Sequence, residues 1–219
     1  MDAEFWKERW QARQIGFNLP NPHEYLVCHG APLWQEGGAH VLVPLCGKSI
    51  DMAYLAKQGA RVTGAELVES AAHEFFQDVG VPAQVTDTNG RRCLDSAGIS
   101  VRILVSNFFD LRSDDLGLLT GGYDRAALVA LPPDLRERYV SHLLELLPPG
   151  ASLLLVTMEY DQSLMGGPPF AVLPDEVARL FSDCQSIKSV ASDSILEQEP
   201  RFAQRGLSAL RETAYLIVR

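Results

Sequence analysis

Short apolar runs alternate with amphipathic stretches along most of the chain, and this alternation predicts its main strands and helices. Mostly apolar runs typical of buried strands occupy residues 40–45, 61–66, 100–106, 123–125 and 151–158. Apolar positions at helical spacing lie between them, at residues 50–58, 69–79, 134–147 and 174–181. Two further strands are predicted near the C-terminus, at residues 185–190 and 213–218.

This order of elements favours an α/β fold. Strands that alternate with helices form a parallel sheet with helices on both faces. The two C-terminal strands have no long crossover helix between them, so they predict an antiparallel hairpin at one edge. We therefore expect a Rossmann-like, seven-stranded, mostly parallel sheet whose final strand is reversed. A length of 219 residues suits a single domain.

Residues 1–36 follow a different pattern, rich in aromatic side chains and interrupted by Pro20 and Pro22. Short helices are predicted at residues 3–13 and 22–28. Trp6 and Trp10 share one face of the first helix, and such a stripe usually packs into a core. We expect this segment to lie outside an α/β core formed by residues 40–219.

Charge and composition narrow the possible functions. The chain carries 28 acidic and 19 basic side chains, a net charge of −9, and no basic cluster, which argues against a nucleic-acid partner. No apolar run approaches the roughly 20 residues that span a bilayer, and no signal sequence is recognisable, so we expect a cytoplasmic protein without a membrane partner. The four cysteines are scattered and the five histidines lack metal-ligand spacing, so no metal site is predicted. No long apolar helix is left over for a dimer interface, and we expect a monomer.

The turn after the first strand, residues 45–49, is the first candidate binding element. Open α/β sheets bind ligands beyond the carboxyl ends of their strands, and Gly47 allows close approach of the backbone there. Glu66 follows Gly47 by nineteen residues, at the predicted end of the second strand. An acid at about this offset can accept hydrogen bonds from both hydroxyls of a ribose. A surface carboxylate at a strand end is the alternative interpretation.

Two nucleotide motifs can be compared with this turn, and neither fits. The residues Gly47-Lys48-Ser49 resemble the end of a P-loop, but the required earlier glycine is replaced by Leu42. The glycine-rich fingerprint of nicotinamide dinucleotide sites is also missing. An adenosyl ligand without phosphates fits better, and S-adenosylmethionine is such a ligand. Its sulfonium cation would suit an acidic cleft lined by aromatic side chains.

Segments along nearly the whole chain resemble the thiopurine S-methyltransferase family, in the order and spacing of its bacterial branch. They are residues 5–10, 16–17, 43–49 (Val-Pro-Leu-Cys-Gly-Lys-Ser), 64–66, 107–111, 123–131, 167–170 and 199–202. The resemblance implies a class I methyltransferase fold with a helical lid at residues 1–36. It also implies transfer of a methyl group from S-adenosylmethionine, leaving S-adenosylhomocysteine, to an aromatic or heterocyclic thiol.

The resemblance further implies roles for individual residues. On the cofactor side, Trp10 closes over the cofactor and Leu45 contacts its methionine portion. Glu66, at the end of the second strand, holds the ribose, and Gly47 in the turn is a further cofactor-binding residue. Asn107 and Phe108 flank the adenine. On the acceptor side, Arg125 lies beside both cofactor and substrate, where we expect it to favour a thiolate, and Phe17 and Arg201 border the acceptor, with Arg205 as an alternative to Arg201.

Other interpretations stay open from the sequence alone. Arg125 could pair with its neighbour Asp124, and Phe108 could be plain strand-end packing. A non-catalytic S-adenosylmethionine sensor and a nicotinamide-dependent oxidoreductase are the alternative functions. The stretch Ala130-Leu131-Pro132-Pro133-Asp134 lacks the leading acid or amide and the trailing aromatic residue of amine methyltransferases. The physiological acceptor is not selected by any residue, and selenium or tellurium species are included in what the resemblance implies.

Overall fold

The computed structural model describes residues 3–35, 37–88 and 90–219. Their strands are β1 (His40–Val43), β2 (Arg61–Glu66), β3 (Gln84–Thr88), β4 (Arg91–Ser96), β5 (Ile99–Val105), β6 (Gly121–Arg125), β7 (Ser152–Glu159), β8 (Ser186–Ser194) and β9 (Arg211–Val218). Their α-helices are α1 (Ala3–Gln11), α2 (Glu24–His29), α3 (Asp51–Lys57), α4 (Glu69–Asp78), α5 (Ser113–Leu116), α6 (Pro133–Leu146), α7 (Pro174–Leu180) and α8 (Pro200–Gln204).

The strands form one sheet in the order β3-β4-β5-β2-β1-β6-β7-β9-β8. Its centre, β5-β2-β1-β6-β7, is parallel throughout, and every residue of β1 is buried. Parallel strands that are covered on both faces have continuous apolar sequences, and this is why the hydrophobic pattern predicted these strands. Their carboxyl ends all lie at one edge of the sheet, where ligands of such folds bind.

The C-terminal hairpin is confirmed. Strand β9 runs antiparallel to β7 over eight paired residues, and β8 pairs antiparallel with β9 at the edge. The register of β8 shifts between Ser189 and Ala191. A β-bulge of this kind bends an edge strand and makes it a poorer template for pairing with another chain.

The predicted count of seven strands is wrong for this chain, because the described sheet has nine. The two extra strands, β3 and β4, form an antiparallel hairpin beside β5. Strand β3 is exposed along its length where its side chains are described and lacks an apolar face, so the hydrophobic pattern did not reveal it. The Asn89-Gly90 dipeptide was the available signal, since Asn-Gly is a favoured hairpin turn.

Helices cover both faces of the sheet, as expected. On one face α2, α3 and α4 pack on β1 and β2 through a cluster that includes Met52, Leu55 and Phe75. On the other face α6 and α7 pack on the sheet through Tyr139, Leu143 and Val177. The ends of the main predicted helices are within about two residues of those observed, whereas the short helices α5 and α8 were not predicted.

The N-terminal segment packs on the edge of the sheet where the parallel strands end. Trp10 is buried with Val68 and Ala71 at the start of α4, and Phe17 lies against the same cluster. An ion pair of 2.6 Å between Arg13 and Glu74 also joins this segment to α4. The two predicted N-terminal helices are confirmed as α1 and α2, with α1 ending at Gln11 rather than at residue 13.

Candidate functional site

A cavity of about 480 Å³ lies beyond the carboxyl ends of β1, β2, β5 and β6, beneath the N-terminal segment. Its volume falls within the roughly 300–1,000 Å³ that small-molecule sites occupy. The predicted site residues on its walls are Trp10, Phe17, Leu45, Glu66, Asn107, Phe108, Arg125 and Arg201. The structure therefore brings together every predicted site residue except Gly47, which lies directly behind the wall.

Glu66 is fixed at the end of β2 by backbone donors on both sides. The Gly47 N–H donates to Glu66 Oε2 at 2.8 Å, and the Val68 N–H donates to Oε1 at 2.7 Å. Burial raises the pKa of Glu66, and these backbone hydrogen bonds act against that rise. The side chain is thus held in one orientation, with unused lone pairs on each oxygen for a ligand in the cavity.

The backbone of the turn after β1 has an uncommon conformation. Leu45 has φ of +47° and Gly47 has φ of +53°. A Cβ on Gly47 would lie 3.1 Å from Asn18 Oδ1 and 3.4 Å from Trp10 Cζ2. Glycine therefore serves two purposes here: it takes the left-handed conformation, and it leaves room for the N-terminal segment to close on the turn.

Lys48 does not point into the cavity. Its Nζ lies 3.0 Å from Glu74 Oε2 and 3.0 Å from Asp78 Oδ2, both on α4. Although burial opposes it, the contacts with Asp78 and Glu74 raise the pKa of Lys48. The lysine joins the turn to a helix, an arrangement unlike that of a P-loop lysine, which reaches bound phosphates.

Two arginines fasten the N-terminal segment over the cavity. Arg125 Nη1 donates to the Phe17 carbonyl at 2.5 Å, and Arg201 Nη1 donates to the Gly16 carbonyl at 2.7 Å. A guanidinium has five N–H donors, so one carbonyl leaves donors available for a ligand. Arg205 also lines the cavity, so both candidate arginines of the C-terminal region border it.

The alternative pairing of Arg125 with Asp124 is wrong. Asp124 is fully buried, and its oxygens accept hydrogen bonds from the Leu128 N–H at 3.0 Å and the Tyr139 hydroxyl at 2.7 Å. Burial raises the pKa of Asp124 to about 6, against the effect of these hydrogen bonds. Neighbouring residues on a strand point to opposite faces, which separates Asp124 from the Arg125 guanidinium.

Asn107 and Phe108 follow β5 and combine structural and lining roles. Asn107 Oδ1 accepts a hydrogen bond from the Phe109 N–H at 3.2 Å, which caps the short 3₁₀ turn there. The ring of Phe108 packs edge-on against His142, with centroids 5.2 Å apart, and also against Tyr139. Phe108 therefore packs against neighbouring side chains and also lines the cavity.

The cavity is not acidic, and the expectation of an acidic cleft is wrong. Its charged lining residues are the acids Glu66 and Glu212 and the five arginines Arg9, Arg125, Arg138, Arg201 and Arg205. In a chain of net charge −9, this local excess of positive charge favours an anionic group on a ligand. The aromatic part of the expectation holds, because Trp6, Trp10, Phe17 and Phe108 contribute to the walls.

Three charged residues that were not predicted also line the cavity: Arg9, Arg138 and Glu212. Glu212 lies near the start of β9, and only the antiparallel register of β9 with β7 brings it to this edge of the sheet. Arg138 is an exposed residue of α6. No spacing motif marks such positions, because they reach the cavity through tertiary structure.

Residues 3–35, 37–88 and 90–219 contain neither a metal-binding cluster nor a membrane-spanning helix. Within these ranges no group of three or more His, Cys, Asp or Glu side chains is placed to hold a metal ion. None of the helices in them is long and apolar enough to cross a bilayer.

Solved structures with a similar fold include S-adenosylmethionine-dependent methyltransferases. A Burkholderia thailandensis 1,6-didemethyltoxoflavin-N1-methyltransferase with bound S-adenosylhomocysteine has a TM-score of 0.60 at 19% identity, covering 99% of this chain and 87% of that one. A Methanosarcina mazei S-adenosylmethionine-dependent methyltransferase has a TM-score of 0.58 at 16% identity, covering 89% and 97%. At this identity the likeness concerns the fold.

Sequence relatives are much more similar. A thiopurine S-methyltransferase of Pseudomonas entomophila is 46% identical over 219 residues, covering all of both chains. One of Azotobacter vinelandii is 43% identical over 219 residues, also covering all of both. The family model of thiopurine S-methyltransferase matches residues 1–219. The chain therefore belongs to the thiopurine S-methyltransferase family of S-adenosylmethionine-dependent methyltransferases.

Proposed function

We propose that this protein transfers the methyl group of S-adenosylmethionine to the sulfur of an aromatic or heterocyclic thiol. One observation carries the proposal: the Glu66 carboxylate, held by the N–H groups of Gly47 and Val68, faces the same cavity as Arg125 and Phe17. The carboxylate that would bind the ribose and the residues that would contact the acceptor therefore line the same cavity. The family of the chain agrees with this reaction.

The donor set fits an adenosyl ligand. A carboxylate that already accepts one N–H on each oxygen can still accept the two hydroxyls of a ribose. Ser106, Asn107 and Phe108 line the cavity with Glu66 and would form a polar and an aromatic surface for the adenine. Leu45 would contact the methionine portion. Among the described residues, this wall contains no glycine-rich loop that would bind phosphates. S-adenosylmethionine has no phosphate groups, so it needs no such loop.

The bound cofactor would supply an electrophilic methyl group, and the protein would position the acceptor next to that methyl group. Trp10 and Phe17 cover the cavity and exclude water. Phe17 and Arg201 would orient the acceptor ring, and the Arg125 guanidinium would favour the thiolate form of the acceptor through its positive charge. Holding two reactants in line can account for several powers of ten in rate.

We extend the proposal to selenium and tellurium acceptors. Selenols ionise more readily than thiols, so a cavity whose charged side chains are mostly arginines suits their anions. A comparison of matched aryl thiol and aryl selenol acceptors would test this extension, with comparable kcat/KM expected for both. A selenol that is not methylated under conditions in which the thiol is would overturn it.

The alternative functions have less support. A non-catalytic sensor would not need the acceptor wall formed by Phe17, Arg125 and Arg201. A nicotinamide-dependent oxidoreductase would need a close backbone approach to a pyrophosphate, and the turn contains a single glycine, Gly47. Lys48, the lysine within that turn, instead forms ion pairs with Glu74 and Asp78 of α4.

The direct experiment is product identification. Purified protein, S-adenosylmethionine with a deuterated methyl group, and 6-mercaptopurine are incubated, and the product is analysed by mass spectrometry. The expected product carries the label on sulfur. Matched phenol and aniline acceptors are the controls and should give at least about a hundredfold less product. Tight cofactor binding with no labelled product from any thiol would favour the sensor.

We also propose that the protein acts in the cytoplasm as a single-domain monomer on a small-molecule acceptor, with residues 1–36 as a lid. Neither a nucleic acid nor a membrane is part of this proposal. Its support is the net charge of −9 and the way the N-terminal segment packs on its own chain through Trp10 and Arg13. Analytical ultracentrifugation should give the mass of one chain, and a mass of two chains would contradict the monomer.

A further inference from the structure

We propose that Glu212 accepts the proton of the acceptor thiol and that His23 is the positioning residue for its carboxylate. This inference rests on the proposed function, because it assigns a base to the same site. It goes beyond that function, which needs only a thiolate and leaves open where the proton goes.

Glu212 is the only acidic lining residue besides Glu66 among the described residues. Glu66 is committed to the turn by two backbone hydrogen bonds, whereas Glu212 has a different environment. Its side chain is about 10% exposed, and one oxygen, Oε2, lies 3.0 Å from His23 Nε2. No described residue gives a hydrogen bond to the other oxygen, Oε1, so this atom is available to a molecule in the cavity.

His23 is held in place by two hydrogen bonds besides its contact with Glu212. Its backbone N–H donates to Asp51 Oδ1 at 2.8 Å, and its Nδ1 accepts the Tyr25 N–H at 3.2 Å. Because Nδ1 accepts, the neutral ring carries its proton on Nε2 and donates it to Glu212. A base oriented by a fixed third group is a recurring arrangement in active sites.

The strand register brings Glu212 and Arg125 to the same face of the sheet. Arg125 pairs with Val156 of β7, and Val156 pairs with Ala214 of β9, two residues from Glu212. Paired residues share a face, and residues two apart on a strand share it as well. Both side chains line the cavity, so an acceptor between them would meet a guanidinium and a carboxylate.

The proposed reaction combines proton transfer to Glu212 with methyl transfer to the acceptor sulfur. The S–H bond of the acceptor breaks, its proton moves to Glu212 Oε1, and its electron pair stays on sulfur as a thiolate. The thiolate forms the new bond to the methyl carbon, and the carbon–sulfur bond of the sulfonium breaks to give a neutral thioether. Arg125 would stabilise the thiolate while the carboxyl holds the proton, which then passes to solvent when product leaves.

Several charged or titratable groups surround Glu212, and they bear on any pH profile. The Tyr25 hydroxyl donates to the Glu212 carbonyl at 3.1 Å and to Asp193 at 2.7 Å. Asp193 of β8 is opposite Glu212 in register. The Tyr123 hydroxyl, which donates to Asp51, is influenced by the charges of both Arg125 and Glu212. A comparison of variants at one pH is therefore clearer than a single profile.

The test compares Glu212→Gln with wild type on two groups of aryl thiols at one pH. One group is largely un-ionised at that pH, and the other is ionised by electron-withdrawing substituents. General-base catalysis contributes about 10²–10⁴-fold. We expect E212Q to lose about a hundredfold or more in kcat/KM with un-ionised thiols and less than about threefold with ionised ones. Equal losses with both groups would overturn the proposal.

Glu159→Gln is the matched control. Glu159 ends β7 near Glu212 and accepts a hydrogen bond from Thr213, but it does not line the cavity. E159Q should keep wild-type kcat/KM with both groups. Calorimetric titration with S-adenosylhomocysteine should give E212Q the wild-type affinity within about twofold, which separates a lost base from a damaged fold.

Two further measurements test the role of His23 and provide a test in wild type that holds even if E212Q does not fold. His23→Gln keeps a donor near the Nε2 position and should retain more activity with un-ionised thiols than His23→Ala, whereas equal losses would argue against positioning. In wild type, kcat/KM with an un-ionised thiol should change little with pH below the thiol pKa. A tenfold rise per pH unit would mean that only preformed thiolate reacts, which overturns the role of Glu212. Absence of methyl transfer to any thiol would instead refute the proposed function itself.

Discussion

Replacing Gly47 by alanine tests whether the turn after β1 is part of the binding site. Gly47 has φ of +53°, and a Cβ there would lie 3.1 Å from Asn18 Oδ1, 3.4 Å from Trp10 Cζ2 and 3.6 Å from Phe17 Cε2. The same residue donates its N–H to Glu66 at 2.8 Å. One methyl group therefore disturbs the backbone of the turn, the closure of the N-terminal segment and the orientation of Glu66.

The magnitude has two parts. A left-handed conformation costs a non-glycine residue roughly 1–2 kcal/mol. For a chain of this size, 1 kcal/mol lowers Tm by about 2–4 °C, so Gly47→Ala should lower it by about 2–8 °C. The 3.1 Å contact of the Cβ also forces Asn18 to shift by a few tenths of an ångström. We expect this shift to weaken S-adenosylhomocysteine binding by at least about tenfold, or 1.4 kcal/mol.

Gly80→Ala is the control for this experiment. Gly80 follows α4 with φ of +73°, and a Cβ there would meet nothing within 4 Å. It should lose a similar amount of stability and keep the wild-type affinity for S-adenosylhomocysteine. Both variants are compared by thermal unfolding and by calorimetric titration. If the Gly47 variant binds the ligand as tightly as the Gly80 variant, the turn is not part of the site.

Three other predictions concern Asp124, Lys48 and Trp10. Folding raises the pKa of Asp124 from 3.8 to about 6, so between these pH values the folded state binds more protons than the unfolded state. The free energy of unfolding should therefore fall by up to about 3 kcal/mol as pH rises from about 4 to 6. Denaturant titrations should show a smaller fall for Asp124→Asn. Lys48→Met should lower Tm but leave S-adenosylhomocysteine affinity within about twofold, because the ammonium group faces α4; a tenfold loss of affinity would show a direct role. Trp10→Ala should weaken the same binding by tenfold or more, since its ring lines the cavity, whereas an unchanged dissociation constant would remove Trp10 from the lid.

Much of the fold could be predicted from the sequence, because buried parallel strands and amphipathic helices have clear periodicities. The central strands and the C-terminal hairpin were located in this way. Strands β3 and β4 were not, since β3 is an exposed edge strand without an apolar face and β4 buries only Cys93 and Leu94. The Asn89-Gly90 dipeptide was the one local signal of that hairpin.

The binding side of the site was more predictable than its reactive side. Gly47 and Glu66 follow from a spacing rule that is anchored to consecutive strands, and the structure joins them by a hydrogen bond. Arg125 and Arg201 were expected to face an acceptor, but their hydrogen bonds to the carbonyls of Phe17 and Gly16 depend on tertiary packing. Glu212 depends on the register of an antiparallel strand, which no motif in the sequence encodes.

The ribose contact of Glu66 is the most direct test of the central claim, and one set of titrations measures it. Wild type and Glu66→Ala are each titrated with S-adenosylhomocysteine and with an analogue that lacks the ribose hydroxyls. Hydrogen bonds to a charged group are worth about 1.5–3 kcal/mol, so wild type should prefer the natural ligand by at least tenfold. The Glu66 variant should bind both ligands with nearly equal, weaker affinity. An unchanged preference in the variant would show that Glu66 does not hold the ribose and would contradict the proposed site.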